Sequence, residues 1–137
     1  MDWITKYLSK PWINGQQDCW QLVRDVYREQ LNIELPQIVV NAEKLREVIT
    51  AMESTTNLSD WQPIEQPGHW SLVFWSQLTR PSHVGIYLDI DGGRILHNTQ
   101  RTGVVCQSVH DMSLQGWCNP RYYRHKKLNA ESLKLEA

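Results

Sequence analysis

The segment SHVGIYLDIDGGRILH, residues 82–97, contains two strands and the turn that joins them. Val84, Ile86 and Leu88 alternate with His83, Gly85 and Tyr87, the period of a strand with one aliphatic face. The aliphatic face suits a core. The other face carries an imidazole beside a residue without a side chain, which leaves space above the strand. RILHNT (94–99) is the expected return strand, and the turn decides on which face its His97 lies. A two-residue Asp91-Gly92 loop sends His97 to the face opposite His83. A three-residue Ile90–Gly92 loop with Gly92 left-handed pairs Asp89 with Gly93 and sets His97 opposite Gly85, diagonal to His83 on the same face. The second register is the expectation. In it His97 accepts the N–H of His83 and fixes its tautomer, the orienting role in a triad.

Working outward, the partner for such a pair is found in DCWQLVRDVYRE, residues 18–29. Asp18 is a good N-cap, and Cys19, Leu22, Val23, Val26 and Tyr27 form one apolar stripe on the following helix. Cysteine reacts as the thiolate. Its pKa falls at a helix N-terminus and falls further beside an imidazolium. A lone cysteine on an apolar stripe is more often packing than nucleophile. His83 and His97 taken singly are ordinary strand and surface polar residues. Only the three together carry chemistry.

The other segments set the frame. DWITKYLSK is a short helix stopped by Pro11, and PWINGQQ a loop with a turn at Asn14-Gly15. NAEKLREVITAM (41–52) reads as a second amphipathic helix, and ESTTNLSDWQPIEQPGH (53–69) as a long polar connection. SLVFWS, GVVCQSV and GWCNPRYYRH are expected strands, the last with Pro120 at an edge or a bulge. Residues 126–137 read as a flexible tail after a single domain at 1–125. Helices followed by an antiparallel sheet define an α+β fold.

The 137 residues are 41% hydrophobic and 21% charged with a net charge of −1, a globular composition with no electrostatic case for nucleic acid. Most of the seven tryptophans are expected in the core. No secretory signal and no apolar run long enough to cross a membrane is seen. The odd cysteine count (Cys19, Cys106, Cys118) argues for a reducing compartment, and their spacing is unlike zinc knuckles. A metal site drawn from His83, His97, Cys106 and His110 is a weak alternative because its spacing is irregular. No cofactor is expected.

In order and spacing, PWINGQQDCWQLVRDVYREQLNIELP, WSLVFW, SHVGIYLDIDGGRILH and TGVV resemble the NlpC family of papain-like cysteine peptidases over about residues 5–125. The Asp-Cys-Trp variant with Leu-Val-Arg and Val-Tyr is most similar to its phage tail-associated branch. The resemblance implies a papain-like fold with N-terminal helices on a central antiparallel sheet. It implies Cys19 as nucleophile, His83 as general base and acid, and His97 as orienting residue. It assigns Asp18 to a substrate amine, and Trp12, Trp20 and Ser82 to the lining of the cleft. The implied substrate is a peptidoglycan stem peptide, cut between D-γ-glutamate and a diamino acid. The implied setting is a protein made in the cytoplasm and built into a phage-type tail, with other tail proteins as partners and no membrane. The chain departs from the family at Trp20 (usually small), Gln21 (usually Gly), Trp12 (often Tyr) and Trp70-Ser71 (usually Gly-Asp). These departures leave open a catalytically impaired structural tail protein. An amidase or acyltransferase using the same Cys-His site is also left open.

Overall fold

The computed structural model describes residues 2–13, 16–36, 60–77 and 80–128, and the side chains of all of these except 2, 77 and 80–82. The helix expected at 41–52, the Asn14-Gly15 turn and the chain from 129 onward lie outside the described residues. Among the described residues three helices are seen: α1 (Asp2–Thr5), α2 (Cys19–Leu31) and α3 (Val109–Leu114). Six strands follow the order of the chain: β1 (Trp61–Ile64), β2 (Leu72–Gln77), β3 (Arg80–Leu88), β4 (Arg94–Thr99), β5 (Gly103–Ser108) and β6 (Cys118–His125). They form one sheet in the order β1-β6-β2-β3-β4-β5, with every neighbouring pair antiparallel. The α+β expectation holds.

Helix α2 starts where its sequence says. The Asp18 carboxylate accepts the N–H of Gln21 at 2.8 Å, satisfying a donor that the first turn leaves open. At the other end Asn32 is left-handed (φ 55°), and the N–H of Ile33 returns to the Tyr27 carbonyl. The stripe Leu22, Val23, Val26 and Tyr27 is buried against one sheet face, with Leu72, Phe74, Val84, Ile86, Leu88 and Leu96. Each such side chain contributes about 1.5–3 kcal/mol of hydrophobic stabilisation. The opposite face carries a smaller cluster of Val73, Trp75, Ile95 and Met112, joined by Tyr87, Trp117 and Tyr122. Trp20, Trp61, Trp70 and Trp75 are buried and the other three tryptophans are half-buried, as expected of a core role.

The hairpin takes the odd register. Ile86 faces Leu96, Tyr87 faces Ile95 and Leu88 faces Arg94, which sets His97 across from Gly85. Gly92 is left-handed (φ 80°) as expected, and Asp91 (φ 49°) and Gly93 (φ 108°) are left-handed too. The N–H of Gly93 closes on the Ile90 carbonyl at 2.9 Å. The turn is therefore tighter than a single left-handed residue would make it, with the same parity.

Other expectations change. WQPI, read as part of a connection, is the edge strand β1. Its Pro63 lacks an N–H, and a short edge strand paired only with β6 tolerates that. Helix α3 was not anticipated, although Ser108 caps it by accepting the N–H of Asp111 at 3.0 Å. Strand β6 lies inside the sheet between β1 and β2. Its Pro120 sits where two residues, Asn119 and Pro120, oppose Trp75, so the bulge alternative is the one realised. Of the expected tail, residues 126–128 are described, and Leu128 is buried in the core.

Trp70, which stands where the family usually has glycine, is left-handed (φ 74°). A side chain there costs about 1–2 kcal/mol. Burial of the indole offsets it, as does the Tyr27 hydroxyl donating to the Trp70 carbonyl. Ser71, in the place of the usual Asp, closes the 68–71 turn by donating to the Gly68 carbonyl at 2.7 Å.

Candidate active site

His83 and His97 meet. Nε2 of His83 lies 2.7 Å from Nδ1 of His97, and Nε2 of His97 lies 2.7 Å from Oε1 of Gln107 on β5. The chain of bonds fixes both tautomers. The Gln107 oxygen only accepts, so His97 carries its proton on Nε2 and presents a bare Nδ1. His83 must then donate from Nε2, which leaves Nδ1 of His83 as the basic atom. Gln107 was not singled out from the sequence. Its signal was a polar residue at period two on a VVCQS strand, and it needed the β4–β5 register, with His97 facing Val105, to be read.

Glycine at 85 is what lets His97 lie there. A Cβ at Gly85 would come within 2.9 Å of both the His97 Cβ and the Ile95 Cγ2. Gly85→Ala is expected to lose about 1–3 kcal/mol of stability through overpacking and to push His97 away from His83. Urea denaturation with peptidase assay of the same variant checks both effects.

Cys19 meets β3 at the backbone of Val84, the residue after His83. The N–H of Tyr87 bonds to the Ser71 carbonyl on the β2 side, so by parity the N–H of Val84 points toward β4. The β3–β4 ladder runs over 86–88 and 94–96 and stops short of that N–H. The sulfur of Cys19 takes it. The thiol thus plugs the gap where β3 and β4 part, one residue from His83 and beside the strand that carries His97.

The helix start and the nearby imidazoles do not make a thiolate–imidazolium pair in this structure. Among the described residues no hydrogen bond joins the Cys19 sulfur to either imidazole. Cys19 is only 3% exposed. Burial, helped by the Asp18 carboxylate, pushes its thiol up to about 12, against the pull of the Val84, Trp20 and Cys19 N–H groups. Burial and then the neighbouring His97 push His83 well below the usual histidine range. Burial brings His97 down to about 4. Thiol and imidazoles are therefore neutral at ordinary pH, in a closed site. Trp117 stacks on His83 with ring centroids 4.7 Å apart, and Trp75, directly across β2, lies at 6.1 Å. Neither tryptophan was singled out from the sequence.

The buried imidazoles make stability depend on pH. The folded state holds them below the histidine value of about 6.5 kept in the unfolded chain. The unfolded chain therefore takes up protons first as pH falls. The contribution is complete above about pH 6.5 and is lost on the way down to pH 4, on the order of 3 kcal/mol for His97 alone. Urea midpoints should be flat from pH 8 to 7 and fall steadily below 6.5. A flat profile down to pH 4.5 would contradict the burial.

The remaining expected site residues divide. Asp18 is 5% exposed with its carboxylate committed to the cap of α2, and burial pushes its pKa up. Trp20 is a core residue, 1% exposed, donating from Nε1 to the Pro36 carbonyl at 3.0 Å, and does not line a cleft. Trp12 is half-buried against the core. The Ser82 side chain lies outside the described residues. Asn98, next to His97, donates to the Gln17 carbonyl at 2.9 Å and so ties β4 to the segment that presents Cys19. Cys106 faces the α2 side of the sheet, away from His97, and His110 is exposed on α3. The four-residue metal alternative is therefore not assembled, and among the described residues no three His, Cys, Asp or Glu side chains converge as metal ligands.

The sequence profile of the NlpC/P60 family matches residues 6–121. The chain belongs to the NlpC/P60 family. Its structure is similar to the crystal structure of the NlpC/p60 domain of peptidoglycan hydrolase SagA, with a TM-score of 0.55 and 20% sequence identity. The likeness covers 88% of this chain and 90% of that one, and supports the shared fold. No curated protein sequence matches the chain. In this NlpC/P60 domain the candidate nucleophile opens a helix, and the two imidazoles stand on adjacent strands with Gln107 behind them.

Proposed function

We propose that this NlpC/P60 domain is a cysteine peptidase that hydrolyses peptidoglycan stem peptides, with Cys19 as nucleophile, His83 as base and acid, and His97 as orienting residue. The observation that carries the reading is the hydrogen-bonded row His83–His97–Gln107, which leaves Nδ1 of His83 basic beside the β3 position that holds the Cys19 sulfur. Nδ1 takes the thiol proton as sulfur attacks the amide carbonyl. The resulting imidazolium gives that proton to the leaving amine. A water, deprotonated by the same nitrogen, then releases the acyl group and restores the thiol. The Cys19 backbone N–H supports the oxyanion. His97 holds the imidazolium by accepting its Nε2–H.

The bond between D-γ-glutamate and a diamino acid is the one we infer, by resemblance to the family. The Asp-Cys-Trp and Leu-Val-Arg variant supports a place in a phage-type tail, where the enzyme would open the wall during DNA delivery. Incubation of the purified protein with defined stem peptides, followed by mass analysis of the products, tests the activity and the bond together. New amine and acid termini at the glutamyl bond are expected. Intact peptides would refute the peptidase reading.

A second reading is a structural tail protein that keeps the fold without turnover. The closed site, with its high thiol and low imidazole pKa, favours it. Rapid alkylation of Cys19 at neutral pH once a peptide is bound counts for the enzyme, and a persistently slow thiol for the structural role. An acyl acceptor other than water would appear in the same assay as a product of different mass.

A further inference from the structure

Strand β4 grips the site from both of its faces. Consecutive strand residues face opposite ways, so His97 meets His83 on one face, and Asn98 turns to the α2 face, across from the buried Val104. There the Asn98 amide donates from Nδ2 to the Gln17 carbonyl at 2.9 Å. Gln17 stands two residues before Cys19. Its carbonyl also accepts the N–H of Ile13 at 2.9 Å, and its own N–H returns to the Ile13 carbonyl at 2.7 Å. Farther back, β5 holds the same segment. The Ser9 N–H bonds to the Val104 carbonyl at 3.0 Å, and the Val104 N–H bonds to the Lys10 carbonyl at 2.9 Å. Of these ties between the sheet and the segment, the one from Asn98 is nearest the candidate nucleophile.

The other end of the amide is what sets this residue apart. Asn98 is 2% exposed, and its Oδ1 has no hydrogen-bond partner among the described residues. The amide cannot turn over to improve this, because a carbonyl only accepts and the Gln17 oxygen therefore requires Nδ2. Asn98 borders a cavity of about 10 Å³ whose charged lining residues are Lys10 and Asp25. That is no more room than one water needs. A buried acceptor without a protein partner lowers stability. An apolar side chain at 98 would escape that cost, and the Gln17 carbonyl would keep the Ile13 N–H. Stability alone therefore does not account for an amide at this position. What the amide adds is a fixed place for the Gln17 carbonyl, and through it for Asp18 and Cys19, relative to the strand that carries His97.

We propose that Asn98 is a positioning residue for the peptidase reaction, clamping the segment before Cys19 to β4 so that the sulfur and the Cys19 backbone N–H stay in register with the His83–His97 pair. The inference rests on the peptidase reading above and adds to it a residue that touches neither substrate nor reacting atoms. A reacting group misplaced by about 1 Å can cost on the order of 10²-fold in rate. Without the clamp the Gln17 carbonyl is held by Ile13 alone, a residue of the same loop and not of the sheet. The loss then falls on the chemical step, hence on kcat, and leaves KM nearly unmoved.

The test uses the full chain. Asn98→Val suits a strand and is expected to unfold at the same urea concentration as the unmodified protein or a higher one. Its kcat on a stem peptide should nevertheless fall about 30-fold, with KM within about 2-fold. Hydrogen exchange over residues 16–22, read by mass, should quicken about 10-fold in this variant, with the second half of α2 unchanged. Asn98→Asp keeps the shape and isolates the donor. A buried carboxylate against the Gln17 carbonyl repels it, whereas the protonated acid donates to it as the amide does. Lys10 and Asp25 across the cavity are of opposite sign, so burial and the carbonyl decide the titration, and both favour the acid. The activity of Asn98→Asp relative to the unmodified protein should therefore rise as pH falls from about 8 to 6. A kcat that is unmoved or falls only in step with stability, exchange unchanged at 16–22, or a relative activity of Asn98→Asp that is flat with pH would overturn the clamp. If the unmodified protein leaves every stem peptide intact, the peptidase reading falls, and exchange alone judges the clamp: quickened exchange in Asn98→Val upholds it and unchanged exchange ends it.

Discussion

Cys19→Ala is expected to abolish stem-peptide hydrolysis, a loss of about 10⁴-fold or more in kcat/KM, with the fold retained. No other thiol can replace it. Cys106 faces the α2 side of the sheet, and Cys118 is exposed at the start of β6. The size of the effect follows from the chemistry, because without sulfur no covalent acyl intermediate forms and only binding and polarisation remain. The cost in stability is about 1–3 kcal/mol, because the buried Val84 N–H loses its sulfur partner. Alanine is a cleaner choice than serine here, since serine would bury a hydroxyl in a closed site. Steady-state kinetics and urea denaturation of the same preparation separate the two effects. Residual turnover above one part in about a thousand would remove Cys19 from the mechanism.

His83→Ala should cost nearly as much, about 10³–10⁴-fold, because it removes the nitrogen assigned to take the thiol proton. Replacing His97 should cost less, about 10²-fold, since it acts by holding Nε2 of His83 at 2.7 Å. Its burial complicates the choice of variant. His97 is 0% exposed, so alanine would leave a cavity and strand both His83 and Gln107. His97→Gln keeps an acceptor and most of the volume, and is the better probe. It should also move the acid limb of the rate profile upward, because a neighbouring imidazole helps hold His83 low. Equal losses in the two variants, or an unmoved acid limb in His97→Gln, would reverse the roles.

The parts of the fold that were legible in the sequence are those where one local pattern suffices. Helix α2 has a cap and an apolar stripe in one short segment. The β3–β4 hairpin has strict alternation and a turn whose parity decides the face of His97. Strand β1 was not legible, because its Pro63 and exposed Gln62 break alternation and its stability comes from β6, some sixty residues away. Helix α3 buries only Met112, too little to make a stripe. The site divides in the same way. The histidine pair could be read from one hairpin. Gln107, Asn98 and Trp117 could not, since each joins the site through a long-range register or a loop. The electrostatics were misread for the same reason. A helix N-terminus does favour a thiolate, but here the opposing burial outweighs it, and burial is set by elements far apart in the chain.

The central claim is that the Cys19 sulfur and Nδ1 of His83 work together when a peptide is present. An electrophilic stem-peptide analogue tests it most directly, with the modified residue found by peptide mass mapping. A generic alkylator should prefer the exposed Cys118, whereas the analogue should label Cys19, and His83→Ala should abolish that labelling while leaving Cys118 unaffected. An adduct confined to Cys118, or a Cys19 adduct that forms equally fast without His83, would contradict the account.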